Sequence, residues 1–241
     1  MGNTNVKKQQ LDTASKTGVL GLKGIGLKDI PTDVINLRGS LRRLDLSDNR
    51  LEMIPSFIGQ FTVIKQLTVD NNRLTYIPDE ISHLEKLDSL SLAGNRLVSP
   101  LTPALSVLVN LKTLNLSRNR ITEFPVEIAS LKKLDMVDLS DNGIEVVPDE
   151  IGGLSALELN LNNNAIAQLS TPGLVSCPRL KVLRLKENCL AVEQFTEPLL
   201  VDSKIALFVT DGNLFNEKQF QNRAGYEQYM ERFTATKKKM F

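Results

Sequence analysis

Residues 41–55 read LRRLDLSDNRLEMIP, and close copies of this stretch recur along the chain. Residues 111–125 read LKTLNLSRNRITEFP, and residues 134–148 read LDMVDLSDNGIEVVP. Each copy has the pattern LxxLxLxxN, followed two residues later by Leu or Ile. One asparagine marks each of seven copies, at separations of 23, 23, 24, 23, 22 and 24 residues: Asn49, Asn72, Asn95, Asn119, Asn142, Asn164 and Asn188. A period near 23 residues predicts a repeat architecture, in which each unit is stabilised mainly by its neighbours.

The LxxLxL part of each copy predicts a short strand whose alternate side chains point to opposite sides. In the copy that begins at residue 41, Leu44 and Leu46 face the core, whereas Arg43, Asp45 and Ser47 face outward. Strands of successive copies are expected to pair in parallel. The asparagine that follows each strand is expected to bond the backbone of the adjacent turn, because a buried amide needs partners for both its donors and its acceptor. The seven asparagines therefore predict a structural ladder.

The second half of most copies reads IPxxIxxL, as in Ile54, Pro55, Ile58 and Phe61. Proline sets the turn into a short helix or 3₁₀ segment that packs against the back of the sheet. Helices are wider than strands, so the predicted solenoid curves with the sheet on its concave side.

Some copies depart from this pattern. The copy that begins at Leu87 is one residue longer and has shifted prolines, which predicts a local change in the convex wall. The copies that begin at Ala156 and Leu180 lack the Ile-Pro pair, which predicts irregular helices there. A degenerate first copy covers residues 19–31, with Ile25 in the asparagine position.

The two ends of the chain predict caps. Residues 11–16 are expected to form a turn or helix over the first copy. Residues 204–215 read as a capping half-repeat with one extra residue before Asn213, and the helical spacing of Tyr226, Tyr229, Met230 and Phe233 predicts a lid over the last repeat. The chain is thus expected to comprise an N-terminal segment (1–16), a repeat domain of about eight repeats and a half-repeat (17–216), and a C-terminal capping helix with a basic tail (217–241).

The N-terminus resembles an N-myristoylation signal, M-G-x-x-x-[ST], with Gly2 as the acylated residue. Val6 stands in the Ser/Thr position, and Lys7 and Lys8 would lie beside anionic headgroups. An ordinary disordered start with a chance Gly2 is the alternative.

Composition argues against several classes of protein. With 29 Lys+Arg, 28 Asp+Glu and no Trp, the chain lacks the basic and aromatic surface of a nucleic-acid binder. It has no apolar run of membrane-spanning length and no signal-peptide hydrophobic region, so we expect it to be made and kept in the cytosol. Cys177 and Cys189 are expected to be reduced and buried.

No catalytic pattern is present. The single histidine, His83, lies in a predicted surface helix, and no phosphate-binding glycine loop, CxxC or HExxH occurs. Asp45, Asp48, Asp138 and Asp141 are variable positions of separate copies. The sequence therefore predicts a chain that is not an enzyme and has no metal or cofactor.

The outward strand positions and the adjoining turn are the candidate site for a protein partner. This face is polar, mildly acidic in the middle and basic at its C-terminal end, without a Trp/Tyr/Arg-rich centre, which favours a transient partner and a monomeric chain. The candidate residues are Arg43, Asp45, Ser47, Asp48, Gln66, Thr68, Asp70, Asn115, Asp138, Asn160, Arg184 and Lys186.

Over residues 17–216 the chain resembles the cytosolic leucine-rich repeat proteins of the Ras-group type, which carry the unit LxxLxLxxNxLxxIPxxIxxL. The resemblance implies an α/β leucine-rich repeat solenoid, a curved horseshoe with a parallel β-sheet on the concave face and short helices or 3₁₀ turns on the convex face. Segments outside the repeat resemble one small member of this family: MGN, KTGV and GY..YMERFTATKKK. That resemblance implies a non-enzymatic protein, N-myristoylated at Gly2 and membrane-associated.

Two functions remain open at this point. One is a lipid-anchored adaptor at the cytoplasmic face of a membrane, with the concave sheet offered to a protein partner. Because one myristoyl chain binds membranes only marginally, Lys7, Lys8 and Lys16 would supply the second signal. The alternative is a soluble regulatory subunit that binds a small GTPase or a phosphatase through its concave face.

Overall fold

The structure, a computed structural model, describes residues 8–240, with side chains described for residues 8–236. Gly2, Val6 and Lys7 lie outside the described residues. The chain divides into two compact units, Met1–Arg120 and Ile121–Phe241. Each unit has parallel strands on one side and short helices on the other.

The described part of the N-terminal unit begins with helix α1 (Lys8–Thr17), which includes residues 11–16, where the sequence predicts a turn or helix. It is followed by five strands, which pair in parallel in chain order: β1 (Val19–Gly21), β2 (Arg43–Asp45), β3 (Gln66–Thr68), β4 (Ser89–Ser91) and β5 (Thr113–Asn115). One buried leucine from each strand lies in the same register: Leu20, Leu44, Leu67, Leu90 and Leu114. A slip of one residue would expose this row, so the leucine pattern fixes the pairing.

The connections in this unit contain the 3₁₀ helices Thr32–Leu37, Ser56–Gln60, Asp79–His83 and Pro103–Val107. Pro55 and Pro78 stand directly before two of them with φ of −71°. Proline has no backbone N–H, and none is needed where a helix starts. The copy with the extra residue keeps its 3₁₀ helix, because Thr102 caps it by accepting a hydrogen bond from the Ala104 N–H (3.1 Å).

The C-terminal unit has four parallel strands in its main sheet: β6 (Met136–Asp138), β8 (Glu158–Asn160), β10 (Val182–Arg184) and β11 (Leu207–Val209). Two shorter strands, β7 (Val146–Val147) and β9 (Gln168–Leu169), form a separate parallel pair. The 3₁₀ helices are Val126–Ser130, Asp149–Gly153 and Val192–Gln194, and the α-helices are α2 (Thr171–Val175), α3 (Glu197–Asp202), α4 (Glu217–Gln221) and α5 (Tyr226–Met240).

The two copies without the Ile-Pro pair depart from the 3₁₀ helices of the other copies, as predicted: one has the α-helix α2, and the other has the 3₁₀ helix Val192–Gln194 followed by α3. α2 is capped by the Ser170 hydroxyl, which accepts a hydrogen bond from the Gly173 N–H (2.8 Å). α3 is capped in the same way by Thr196. Each helix also has a proline in its first turn, so a hydroxyl cap and a proline replace the missing pair.

The prediction of an extra residue before Asn213 is wrong. Leu183 of β10 pairs with Phe208 of β11, so β11 stands in the same register as the preceding copies. Thr210 occupies the position that the core residue Leu185 has in the preceding copy. This polar residue interrupts the leucine pattern in the sequence. Asn213 then acts as a further ladder asparagine, because its Oδ1 accepts from the Leu190 N–H (3.0 Å).

Helix α5 contacts the last strand of the C-terminal unit, where the sequence predicts a lid. Tyr229 is buried at 4% exposure, and its hydroxyl oxygen accepts a hydrogen bond from the Phe208 N–H of β11 (3.2 Å). Burial raises the pKa of the Tyr229 hydroxyl. The Arg232 guanidinium donates to the carbonyl oxygens of Ile205 (2.8 Å) and Leu200 (2.6 Å). The lid is thus held by polar bonds as well as by apolar packing.

Candidate partner-binding surface

The asparagine ladder holds each turn to the copy before it. Asn72 is a representative: its Oδ1 accepts from the Leu51 N–H (2.9 Å), and its Nδ2 donates to the carbonyl oxygens of Leu46 (3.0 Å) and Val69 (3.2 Å). The same arrangement recurs at the other predicted asparagines, which confirms the ladder. Ile25 fits this geometry, because α1, and not the turn of another copy, precedes the first copy in the described part of the chain.

The residue before each ladder asparagine has a left-handed backbone, with φ between 53° and 77°: Asp48, Asn71, Gly94, Arg118, Asp141, Asn163, Glu187 and Gly212. Gly, Asn and Asp tolerate this region best. Asp48, a candidate partner-binding residue, is therefore selected in part by the backbone.

Asp48 also has side-chain partners. Its Oδ1 accepts from the Asn71 Nδ2 (2.6 Å), and its Oδ2 lies 3.2 Å from the Lys23 Nζ. The hydrogen bond from Asn71, followed by the Lys23 ammonium, lowers the pKa of the Asp48 carboxyl. Asp48 thus stays ionised and exposed on the turn.

Several candidate residues on the strands accept hydrogen bonds from the backbone. The side-chain Oδ1 of each accepts from the N–H two residues further on, at 2.9 to 3.1 Å: Asp45, Asn115, Asp138 and Asn160. Where the strand carries Ser91 or Arg184 instead, the acceptor comes from the preceding copy. Asp70 then accepts from the Ala93 N–H (2.8 Å), and Asn162 accepts from the Lys186 N–H (2.8 Å).

These bonds form a second scaffold along the strand ends, which sequence reasoning missed. The sequence contains a pattern that indicates this scaffold, because Asp or Asn recurs either at the last residue of a strand or two residues later. Asp45, Asp70, Asn115, Asp138 and Asn160 therefore have a structural role on the candidate surface.

Ser47 is not on the exposed surface, so the prediction of an outward-facing Ser47 is wrong. Its exposure is 6%, and the equivalent Ser117 and Ser140 are also buried. The strand ends at Asp45, and the turn that follows carries the serine inward. Arg43 is exposed, and Gln66 and Thr68 are half-buried.

The C-terminal end of the face is less basic than the sequence indicates. The Arg184 Nε lies 2.6 Å from the Glu158 Oε1, so this charge is paired, while Lys186 is exposed. Leu207 and Val209 of β11 add apolar side chains on the same side. An alignment of Asn213 with Asn188 in the sequence predicts this position for Leu207 and Val209.

Removing the acceptor at Asp70 tests the second scaffold. Asp70→Ala is expected to lower the free energy of unfolding by about 1.5 kcal/mol, because the Ala93 N–H and the Ser91 hydroxyl lose their shared acceptor. Asp70→Asn retains an acceptor oxygen and should stay within about 0.5 kcal/mol of wild type. Urea unfolding at pH 7 measures both, and equal stability of Asp70→Ala and wild type would contradict the role.

The two cysteines differ in their surroundings. Cys177 is buried and free, as predicted, and burial raises the pKa of its thiol to about 11. Cys189 is free but exposed, so the prediction that it is buried is wrong. It follows a ladder asparagine at the position that Arg50, Arg73 and Arg96 occupy in other copies.

A disulfide reagent at pH 8 should therefore modify one thiol per folded chain. Cys189 is open to solvent, whereas Cys177 is buried and remains protonated at this pH. Two thiols should react in denaturant, and Cys189→Ser should abolish the fast reaction of the folded chain. Two fast thiols in the folded chain would contradict this assignment.

Within residues 8–236, no group of three or more His, Cys, Asp or Glu side chains is arranged to hold a metal ion. His83 is exposed at the end of its 3₁₀ helix. No helix in the described part of the chain is long and apolar enough to cross a membrane.

The family model described as leucine rich repeat matches residues 21–97 and 104–144. Among solved structures, a leucine-rich repeat protein of Leptospira interrogans is 27% identical, with a TM-score of 0.63, over 88% of this chain and 58% of that chain. An internalin C2 of Listeria monocytogenes is 22% identical, with a TM-score of 0.70, over 84% of this chain and 91% of that chain.

A third similar structure is the repeat ectodomain of the plant membrane receptor kinase GASSHO1/SCHENGEN3 from Arabidopsis thaliana, in complex with CASPARIAN STRIP INTEGRITY FACTOR 2. It is 24% identical, with a TM-score of 0.64, over 86% of this chain and 26% of that chain. The chain thus spans less than two thirds of the Leptospira chain and about a quarter of the Arabidopsis chain that it matches.

Proposed function

Since residues 21–97 and 104–144 belong to the leucine-rich repeat family and both units have its fold, we propose that the chain is a protein-interaction module. Domains of this family generally mediate protein–protein interaction and are typically non-enzymatic. The partner would bind the strand face, which we define as the outward side of β2 to β5 in the N-terminal unit. The plant ectodomain solved in a complex is a precedent for partner binding by this fold.

One observation carries this proposal. On β2 and β3, the side chains of Arg43, Gln66 and Thr68 make no hydrogen bond or ion pair with another described residue. Their neighbours Asp45 and Asp70 hold the backbone. Rigid strands therefore present side chains that are free to bind, and a site on strands is held more firmly than a site on loops.

Proximity labelling in cells tests the strand face. The variant Arg43→Glu/Gln66→Glu should lose a discrete set of labelled proteins. The matched control is Arg38→Glu/Gln60→Glu, which makes the same charge changes at exposed residues at the C-terminal ends of two 3₁₀ helices and should retain that set. If both variants label the same proteins as wild type, the strand face is not the binding surface.

The second part of the proposal is a lipid anchor at Gly2, at the cytoplasmic face of a membrane, in a chain that also occurs in the cytosol. What supports it is the resemblance of the N-terminal sequence to an acylation signal. Lys8 and Lys16 are exposed on α1 and would add attraction to anionic lipid, which a single acyl chain needs for stable binding.

Metabolic labelling with an alkyne analogue of myristate tests the anchor. Wild type should be labelled and partly recovered with membranes, whereas Gly2→Ala should lose both. Gly39→Ala is the control, because a Cβ at Gly39 meets nothing within 4 Å. If Gly2→Ala is labelled as strongly as wild type, the anchor is wrong. If wild type takes up no label and stays in the cytosol, the soluble regulatory subunit replaces the adaptor.

A further inference from the structure

Helix α5 does not lie flush against the last strand. Between β11 and α5, the C-terminal unit has a cleft of about 590 Å³. Its apolar lining includes Leu207 and Val209 of β11 and Tyr226, Met230 and Phe233 of α5. All five side chains are half-buried, so they offer apolar surface to solvent, whereas Tyr229 behind them is buried in the cap.

One backbone donor on the outer edge of β11, beneath this cleft, already has a hydrogen-bond partner. The Phe208 N–H, which points away from β10, is bonded to the Tyr229 hydroxyl. A partner therefore cannot extend the sheet through this donor as an added strand. Recognition in the cleft depends on side chains.

The two charged residues that line the cleft are both acidic. Asp211 and Glu217 line it and are exposed, and no Lys or Arg is among the described residues that line it. A third carboxylate lies beside it, because a Cβ at Gly212 would stand 2.5 Å from the Glu187 Cδ. The potential of the cleft therefore favours cationic groups and disfavours acidic ones.

Two arginines of the cap, Arg223 and Arg232, do not offset this charge at close range. Arg232 donates to the carbonyl oxygens of Leu200 and Ile205, and Arg223 donates to the Phe195 carbonyl oxygen (3.0 Å). Both guanidinium groups are thus engaged by the backbone of the cap.

We propose that this cleft is a docking site for a cationic amphipathic segment of a partner protein. Its apolar side chains would enter between β11 and α5, and its Lys or Arg would lie against Asp211 and Glu217. Tyr, Phe and Met are the residue types enriched at the centres of protein interfaces, and an amphipathic helix laid into an apolar groove is a common recognition mode. This surface goes beyond the strand-face function and does not depend on it.

Selection of peptides from a random phage-displayed library against the full chain, tethered through its N-terminus, tests the proposal. The enriched peptides should combine Lys or Arg with Leu, Phe or Trp. A synthetic peptide of the commonest sequence should bind more weakly as salt is raised. Its affinity should fall at least tenfold in Asp211→Lys and at least fivefold in Met230→Ala.

Two controls separate this site from other causes. Asp202→Lys makes the same charge change at an exposed residue of α3 and should leave the affinity within twofold. The strand-face variant Arg43→Glu/Gln66→Glu should also bind the peptide normally, even if the strand-face proposal fails. Thermal unfolding of each variant shows whether it is folded.

Three results would overturn the cleft as a docking site. One is a selection that enriches no sequence family or enriches acidic peptides. Another is equal binding of the peptide to wild type, Asp211→Lys and Met230→Ala, all folded. The third is loss of binding in the strand-face variant alone, which would place the peptide on that face.

Discussion

Replacing Asn72 by alanine is expected to lower the free energy of unfolding by about 3 kcal/mol. Asn72 is 7% exposed, and its Oδ1 is the acceptor for the buried Leu51 N–H. Without it, that donor has no partner and no access to water, which accounts for most of the loss. The carbonyl oxygens of Leu46 and Val69 each keep a bond from another ladder asparagine, so their share is smaller.

The neighbouring Asn71 provides the matched control. Asn71→Gly removes the same kind of side chain one residue away, but its amide is exposed and bonds only Asp48. Glycine also tolerates the left-handed backbone at this position (φ 53°). Its cost should stay below about 1 kcal/mol. Urea unfolding followed by circular dichroism compares the stabilities of the two variants. If Asn72→Ala is as stable as Asn71→Gly, the asparagine ladder does not hold the turns.

Phe195→Ala should be the most damaging single change in the C-terminal unit, with an expected loss of about 4 kcal/mol. Phe195 is fully buried, and its ring centroid lies 4.9 Å from that of Phe220, 5.4 Å from Phe215 and 5.5 Å from Phe208. Removing it leaves a cavity where β11, α4 and the segment between them meet. Rings that pack edge to face also lose their mutual contacts.

Phe195→Leu keeps an apolar side chain of moderate size and should cost about 1.5 kcal/mol. The chain has no Trp and three Tyr, two of which, Tyr226 and Tyr229, lie in α5. Tyrosine fluorescence therefore reports mainly on the cap and complements circular dichroism. If Phe195→Ala unfolds at the same urea concentration as wild type by both probes, the aromatic cluster does not stabilise the cap.

The repeated pattern allowed the ladder and the strand register to be predicted, because both follow from local geometry that recurs with the period. Asn49, Asn72 and their equivalents meet the same turn backbone in every copy. The copy with Phe208 in place of leucine and Thr210 in place of Leu185 keeps the position of each residue but not its type, so the hydrophobic pattern alone predicts the wrong register there. The number of residues between Asn188 and Asn213 predicts the register of this strand better than its hydrophobic pattern does.

The candidate surface was less predictable than the fold. Alternation along a strand indicates which residues face outward, and it stops being valid where the strand ends, which is why Ser47 is buried. Whether an outward Asp is free or holds a backbone N–H depends on side-chain geometry, as Asp45 and Asp70 show. The cleft depends on how α5 docks against β11. The spacing of Tyr226, Met230 and Phe233 predicts the helix and not the gap beside it.

Site-specific photo-cross-linking in cells tests the central claim, a protein-interaction module that binds through its strand face, most directly. A photoreactive phenylalanine analogue is placed at Gln66 on β3 or, as the matched control, at Gln60 on the 3₁₀ helix Ser56–Gln60. We predict a discrete cross-linked product from position 66 and none of the same mass from position 60. Identical products from the two positions, or a product from position 60 alone, would contradict binding through the strand face.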